Sequence, residues 1–258
     1  MKPTSGVMSA WQTTFVSAPA FAHLKPWLDR FQATDWPDLA TLNQFAEAQN
    51  LRNARGLPIR FTTQTSACGQ HDYETGIHAS GLVPSRERNW HDLFNSLTWL
   101  AFPETKAALN AVHQTTLLPG QNRLPASDTA TLFDESGLVL AGEDDTLAQL
   151  LAERRWREAF LTRRDDWKNI RVHAIGHAVL EKLLNPWPGI TAKCLFIKTR
   201  ANADLKSHDA AISELWRNNG MTDARALFPL PALGIPGWWP ANQEASFYDD
   251  QRYFRAPR

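Results

Sequence analysis

The chain has only two cysteines, Cys68 and Cys194, among its 258 residues. Disulfide-rich secreted proteins and cysteine-based zinc sites need several cysteines at short, regular spacings. Neither class fits two cysteines that lie this far apart in the sequence. We therefore expect a protein of a reducing compartment, the cytoplasm.

Long apolar runs are also missing. No uninterrupted apolar stretch approaches the roughly 18 residues of a membrane-spanning helix, so we predict no membrane span. Residues 7–22 end in small side chains, as a signal peptide does, but Gln12, Thr13 and Thr14 interrupt the apolar segment that such a peptide requires. We expect no cleaved signal peptide, and we expect residues 1–15 to be disordered.

Neither sign of charge is in excess. The chain has 27 Lys and Arg residues and 27 Asp and Glu residues, so its formal net charge is zero. Proteins that bind nucleic acid do so through a basic surface, and we therefore expect no nucleic-acid partner. The sequence also contains no P-loop, no dinucleotide-binding glycine motif and no GxSxG motif, which disfavours nucleotide, nicotinamide and esterase chemistry.

What is present is the composition of an ordinary globular protein, with 43% hydrophobic and 21% charged residues. No stretch resembles a linker, so we expect one domain over residues 1–258. Apolar spacing predicts helices at 20–31, 35–50, 89–118 with a break before Pro103, 144–155, 156–184 with a break around 163–167, and 204–219. Strands are predicted at 57–63, 129–133, 138–141 and 190–199, and residues 65–88 are expected to form a long ordered loop.

The predicted strands favour a small antiparallel sheet. Residues 129–133 and 138–141 flank the polar sequence DESG, which is typical of a tight hairpin turn. Residues 228–258 are rich in proline and tryptophan, and we expect them to wrap the domain in an extended form. The fold class that we predict is α+β, mainly helical, with a small antiparallel sheet and an extended C-terminal tail.

Four stretches of the sequence together carry a resemblance to a known family. They are NWHDLFNSLTWLAFPETKAALN at residues 89–110, TLFDESG at 131–137, GHAVLEKLL at 176–184, and PLPALGIPGWWPAN with FYDD at 229–242 and 247–250. In these stretches the chain resembles the bacterial family called domain of unknown function 3025. The resemblance implies a bacterial, soluble protein, and it supplies neither an activity nor a site residue.

Within the predicted helix at 156–184, every fourth position carries one of His173, His177 and Glu181, which places all three on one helix face. Two imidazoles and one carboxylate are ligands of catalytic zinc sites, in which a fourth position holds water. We therefore consider these residues candidate ligands of a divalent metal such as zinc. Ala174 replaces the glutamate that zinc proteases carry after the first histidine, which disfavours a protease. Alternatively, His173 lies at the surface and His177 is a buried histidine with a structural hydrogen bond.

A second polar group lies on the two helices that flank the proline break. His91 and Asn95 share a face of the first helix, and Lys106, Asn110 and His113 share a face of the second. The two polar stripes converge if the helices pack as a hairpin. His91 and Asn95 are therefore candidate catalytic residues.

Asp134 and Glu135 lie in the turn of the predicted hairpin. Adjacent carboxylates can act as general bases or metal ligands, so both are candidate catalytic residues. Turn formation explains them equally well, because an aspartate before a Ser-Gly pair can hydrogen-bond to its own backbone.

The sequence leaves two functions open. The first is a small-molecule enzyme, such as a metal-assisted hydrolase, in which His177 and Glu181 are ligands or acid/base groups and His91, Asn95 and Asp134 complete the pocket. The second is a non-catalytic protein that docks a protein partner through its tryptophan-rich surface and tail. Convergence of the site residues in one cleft would favour the enzyme, whereas scattered positions beside an exposed apolar patch would favour the binding protein. The sequence indicates neither a substrate nor an oligomeric state.

Overall fold

The fold is described from a computed structural model, over residues 10–31, 34–64, 69–115, 125–200, 202–218, 221 and 223–256. Residues 1–9, which belong to the segment expected to be disordered, lie outside these ranges. Residues 10–31 form an N-terminal arm of two 3-10 turns, Thr14–Ser17 and Pro19–Leu24, followed by the single helical turn α1, Lys25–Leu28. The predicted helix at 20–31 is therefore divided between a 3-10 helix and one α-helical turn, and it ends at Leu28.

Eight longer α-helices follow in the described ranges, and they confirm the mainly helical α+β fold. They are α2 (Leu39–Ala48), α3 (Gln70–Ser80), α4 (Trp90–Ala101), α5 (Pro103–Thr115), α6 (Pro125–Ser136), α7 (Thr146–Ala152), α8 (His177–Leu183) and α9 (Leu205–Arg217). The predicted break before Pro103 is confirmed, because α4 ends at Ala101, two residues before this proline, and α5 begins on it. None of the helices in the described ranges combines the length and the apolarity needed to cross a membrane.

The main sheet has four strands and mixes parallel with antiparallel pairing. The six strands of the described ranges are β1 (Arg60–Thr63), β2 (Leu82–Ser85), β3 (Gly137–Gly142), β4 (Arg171–Ala174), β5 (Thr191–Lys198) and β6 (Phe228–Pro231). The main sheet has the order β4-β3-β5-β6, with antiparallel outer pairs and a parallel β3–β5 pair, while β1 and β2 form a separate parallel pair. The predicted strands at 57–63 and 190–199 correspond to β1 and β5.

The core centres on α4 and β3. Every residue of β3 is buried, and so is every residue of α4 except His91. The N-terminal arm covers α4 with aromatic rings, since Phe15 lies edge-on against Trp90 and Phe21 stacks on Phe94. Because α4 is held on nearly all sides, its one partly exposed side chain is fixed in direction.

The predicted strand at 138–141 is confirmed as part of β3, but the predicted strand at 129–133 and the hairpin that would join the two are wrong. Residues 125–136 form helix α6, whose buried face includes Ser127, Ala130 and Phe133 at helical spacing. Strand β3 then pairs with the distant strands β4 and β5 instead of folding back on its neighbour. The apolar run of β3 is that of a central strand buried on both faces, which local turn chemistry does not reveal.

The predicted loop at 65–88 is also wrong, because it contains helix α3 and strand β2. The helix was not predicted because its apolar stripe is weak. Among residues 72–80 of this helix, Ile77 alone is buried. Gly81 is the sequence feature typical of a helix end here, since it ends α3 in the left-handed conformation at φ 77°.

The predicted helix at 156–184 is interrupted by strand β4, and this changes one of the candidate sites. His173 lies on β4, whereas His177 begins α8 and Glu181 lies one turn further along it. The three residues therefore do not share one helix face. Residues 171–174 form a strand and not a helix because they pair antiparallel with the buried strand β3.

The C-terminal tail adds one strand to the sheet and then turns repeatedly. Strand β6 lies at an edge, where Pro229 and Pro231 are tolerated because an edge strand needs fewer hydrogen-bond donors. Beyond it, Asn242 anchors the tail by donating to the Leu233 and Ile235 carbonyl oxygens at 2.8 and 2.7 Å. The tail is packed as predicted, but 3-10 turns replace much of the extended form.

Gly176 allows α8 to approach the junction between α6 and β3. Its backbone torsions are ordinary (φ −64°, ψ 114°), so glycine is required here for space and not for conformation. A Cβ at this position would lie 2.4 Å from the Gly137 nitrogen and 2.6 Å from the Glu135 carbonyl oxygen. The Gly176 amide donates to the Gly137 carbonyl oxygen at 2.9 Å, which holds the two segments together.

Three buried histidines meet between the N-terminal arm, β4 and α9. His23, His173 and His208 are each at most 8% exposed, and a 2.9 Å hydrogen bond joins His173 Nε2 to His208 Nδ1. Burial lowers the pKa of His23 from 6.5 to about 4 and also lowers the pKa values of the other two imidazoles. All three are therefore neutral at pH 7 in the folded protein.

We predict that stability falls on acidification because of these histidines. The unfolded chain protonates His23 near pH 6.5 and the folded chain only near pH 4, so its contribution is complete above about pH 6.5 and is lost as the pH falls toward about 4. Between about pH 7 and pH 4.5, His23 alone should cost about 2 kcal/mol of unfolding free energy. Urea unfolding of wild type and His23→Gln measures this, and equal pH dependence in both proteins would refute it.

We also predict that Gly176→Ala destabilises the fold by about 2 to 3 kcal/mol, because the new methyl group meets backbone atoms that cannot move independently. The matched control is Gly76→Ala. Gly76 is exposed within α3 and a Cβ there meets nothing within 4 Å, so this change should stabilise by about 0.5 to 1 kcal/mol. Thermal unfolding of both variants compares the two effects, and similar shifts would contradict the close contact at Gly176.

Candidate functional site

Two histidines and a glutamate from three helices meet at one point of the surface. His91, Glu135 and His177 each offer a ligand atom, and these atoms all lie within 4.8 Å of one another. The imidazole rings of the two histidines are 4.3 Å apart between centroids and nearly perpendicular. Asp134 and Glu181 contact these histidines. We call the five residues together the histidine–carboxylate cluster.

Local structure explains the position of each cluster residue. Asn89 caps α4 by accepting from the Asp92 amide, so His91 lies in the exposed first turn of an otherwise buried helix. Asp134 and Glu135 occupy the last turn of α6, and His177 is the first residue of α8. The Gly176 contact brings these two helix ends together.

Helix α4 is tied to the same junction by a side-chain hydrogen bond. The Thr98 hydroxyl, which is fully buried, donates to the Ile175 carbonyl oxygen at 3.2 Å. Since Ile175 lies two residues before His177, this bond fixes α4 relative to the start of α8. The three segments that carry the cluster are thus joined by a backbone contact at Gly176 and by a side-chain hydrogen bond from Thr98, which leaves little freedom for the side chains to separate.

His177 lies between two carboxylates. Its Nδ1 is 3.6 Å from Asp134 Oδ2, and its Nε2 is 3.5 Å from Glu135 Oε1. The imidazole is 7% exposed and Asp134 is 13% exposed, while Glu135 is 37% exposed. Asp134 therefore approaches the ring from the protein interior, and Glu135 approaches it from the solvent side.

His91 has an equivalent arrangement with Glu181. Its Nδ1 is 3.2 Å from Glu181 Oε2, which leaves Nε2 as the ring nitrogen available to another partner. The His91 side chain is 30% exposed and that of Glu181 is 47% exposed. The cluster is therefore open to solvent on this side, and a small molecule can reach it.

A chain of buried polar groups continues from Asp134 into the protein. The Lys106 ammonium donates to Asp134 Oδ1 at 2.5 Å and to Asn95 Oδ1 at 2.8 Å. The Asn95 amide in turn donates to the Tyr73 hydroxyl at 2.9 Å. The two polar stripes predicted on α4 and α5 therefore do meet, and Asn95 contacts the cluster through Lys106 instead of facing His91.

Opposite charges in the cluster stabilise the ionised forms of their neighbours. Burial alone would raise the pKa of Asp134, but the Lys106 ammonium and His177 outweigh it and the pKa lies below its ordinary value. The pKa of Glu135 is lowered in the same way, against burial, by its contact with His177. Burial opposes protonation of His91, yet Glu181 and Glu135 raise its pKa above the ordinary value. Both acids are therefore ionised near neutral pH.

A small cavity adjoins the interior side of Asp134. Its polar lining includes Tyr73, Glu74, Asn110 and His113, and it has room for about one water molecule. Burial raises the pKa of Tyr73 well above its ordinary value, so its hydroxyl stays protonated. The cavity is too small for a substrate, and the open face of the cluster is the accessible side.

His173 does not join the cluster. It lies with His23 and His208 in the buried histidine group, so the predicted set of His173, His177 and Glu181 is divided between two places. The sequence pattern failed here because it depended on one continuous helix. In its place Glu135 joins His177 from another helix, and His91 completes the group.

Of the other candidate residues, Asp134 and Glu135 lie at the cluster, but at a helix end and not in a hairpin turn. Lys106 was noticed only as part of a polar stripe, and no sequence signal indicated its contact with Asp134. Tyr73 was missed because its helix was not predicted.

The tryptophan-rich tail was considered as a docking surface for a protein partner. Its adjacent tryptophans, Trp238 and Trp239, are partly buried against the core, and the one large hydrophobic residue strongly exposed in the described ranges is Leu82.

Comparison with known proteins gives a family but no activity. No curated protein and no solved structure matches the chain. A family model described as "Protein of unknown function (DUF3025)" matches residues 59–258, which include the whole histidine–carboxylate cluster and all four stretches of sequence resemblance. Because the match covers more than half of the sequence, the chain belongs to this family of unknown function, DUF3025.

Proposed function

We propose that His91, His177 and Glu135 bind one divalent metal ion, and that the protein is a metal-assisted hydrolase of small molecules. The observation that carries the proposal is the pairing of each histidine with its own carboxylate. Glu181 is hydrogen-bonded to Nδ1 of His91 at 3.2 Å, and Asp134 faces Nδ1 of His177 at 3.6 Å without a hydrogen bond, so both Nε2 atoms are left for a metal. Histidines that bind metals are commonly oriented by a carboxylate on the other ring nitrogen.

The donor set favours a metal of borderline softness. Two imidazoles and one carboxylate suit zinc, and the same set with open positions suits iron(II). Three protein ligands leave room for water or substrate, as in catalytic sites, whereas structural zinc sites are closed by four ligands. The exposed fractions of His91 and Glu135, 30% and 37%, agree with an open position on the solvent side.

A metal ion bound here would supply hydroxide near neutral pH and polarise a carbonyl or phosphoryl oxygen. The protein's own contribution is to orient the ligands and to accept a proton. Glu181 is 47% exposed beside His91 and can accept a proton from an attacking water molecule. We assign a small-molecule substrate because the cluster lies at an open surface, and a cytoplasmic location because only two cysteines are present.

The first test is the metal content of protein purified without a histidine tag. Wild type should contain or take up about one zinc, iron or manganese ion per chain, and titration calorimetry of the metal-free protein gives its affinity. His177→Ala and His91→Ala should weaken binding at least about 100-fold, beyond the usual effect of removing an outer partner. The control is Glu153→Gln, a change at an exposed glutamate that pairs with Arg155, which should bind like wild type. Wild type without measurable affinity would exclude the metal site.

The second test is hydrolysis of a panel of chromogenic esters, amides and phosphate esters. Metal-loaded wild type should hydrolyse at least one class, a chelator should abolish the activity, and added metal should restore it. Glu135→Gln should lose the activity and Glu153→Gln should keep it. A protein that binds metal tightly but hydrolyses no member of the panel would retain the metal site and contradict the hydrolase.

A further inference from the structure

Lys106 is a buried cation in the middle of the polar chain behind the cluster. The residue is 4% exposed, and its ammonium lies 5.6 Å from the centre of the Trp99 ring. Taking a charge out of water is costly unless a close partner compensates it. Asp134 is that partner, and a methionine of similar length would fill the same space without any charge. The presence of lysine therefore calls for an explanation beyond packing.

The carboxylate of Asp134 is shared between Lys106 and His177. Its Oδ1 accepts from the Lys106 ammonium at 2.5 Å, and its Oδ2 lies 3.6 Å from His177 Nδ1. Because the two oxygens belong to one planar group, the direction of the first contact determines where the second oxygen points. Lys106 itself is held by Asn95, which is anchored to Tyr73, so its ammonium has a defined position.

We propose that Lys106 is a positioning residue for His177, which it orients through Asp134. The hydrogen bond from Lys106 sets the Asp134 carboxylate so that its second oxygen lies 3.6 Å from His177 Nδ1, where its negative charge attracts a proton to that nitrogen without forming a hydrogen bond. The imidazole then carries its proton on Nδ1 and presents the Nε2 lone pair toward Glu135. This inference rests on the proposed metal site for its purpose, but the orientation of His177 can be measured without any metal.

A purely electrostatic role would have the opposite consequence. A cation close to the cluster repels a metal ion, so removing its charge would tighten metal binding whatever residue stands at position 134. A purely structural role would change the unfolding free energy and leave the affinity of the folded protein unchanged. The three roles can therefore be separated by a double-mutant cycle on Lys106 and Asp134.

The test uses Lys106→Met, Asp134→Asn, the double variant and Lys182→Met, a control at an exposed lysine of α8. In the metal-free proteins, the nitrogen NMR shifts of His177 report which ring nitrogen carries the proton. Wild type and the control should show the proton on Nδ1, and Lys106→Met should lose this preference. In titrations with zinc, Lys106→Met should bind about 10-fold to 100-fold more weakly than wild type. The double variant should bind no more weakly than Asp134→Asn.

Each outcome decides the question. Unchanged His177 shifts in Lys106→Met would overturn the inference, and so would tighter zinc binding in both backgrounds. If the His177 nitrogen shifts differ between wild type and Lys106→Met but wild type binds no metal, the proposed function fails while the positioning role stands. If Lys106→Met does not fold, Lys106→Arg replaces it. Arginine keeps the charge and alters the geometry, so the positioning role predicts changed shifts and weaker binding, and wild-type behaviour would refute it.

Discussion

The contact between Gly176 and the junction of α6 and β3 determines where the candidate site can exist. Backbone meets backbone there, with the Gly176 and Ile175 amides both donating to the Gly137 carbonyl oxygen. The last turn of α6 and the first residue of α8 are consequently neighbours, and their side chains need only extend a short way to meet. Thr98 adds α4 to the same junction. The geometry of the cluster is thus a property of the backbone, which fits a site that must hold its shape before a ligand arrives.

The fold buries polar groups in two different ways. Where His23, His173 and His208 meet, the imidazoles are neutral, so burial requires only that they stay unprotonated. Behind the cluster the charges are kept, and Lys106 and Asp134 compensate each other at 2.5 Å. Neutral side chains can be packed in the interior at little cost, whereas a buried ion pair is often no more stable than hydrophobic side chains of the same volume. Through the contact of Asp134 with His177, this ion pair connects the interior with the histidine–carboxylate cluster.

Sequence reasoning identified all five cluster residues but not their arrangement. His91, Asp134, Glu135, His177 and Glu181 were all candidates, since each is a titratable side chain beside an apolar helical or turn pattern. Their grouping failed wherever it depended on local periodicity, because β4, which interrupts the predicted helix at 156–184, forms as the antiparallel partner of the distant strand β3. A pairing between residues thirty or more positions apart cannot be read from the local pattern of either segment. The general α+β class was predictable from helix spacing and caps, but the strand partners were not.

The edges of the main sheet bear on how the protein behaves among copies of itself. At one edge, Pro229 and Pro231 leave β6 without two of the N–H groups with which a further strand would pair. At the other edge, the N-terminal arm packs against β4 through His23 and His173. An exposed, fully competent edge strand is a template for aggregation. The prolines of the tail thus prevent a strand of another molecule from pairing with β6. This protects a sheet whose central strands are strongly apolar from aggregation through its edge.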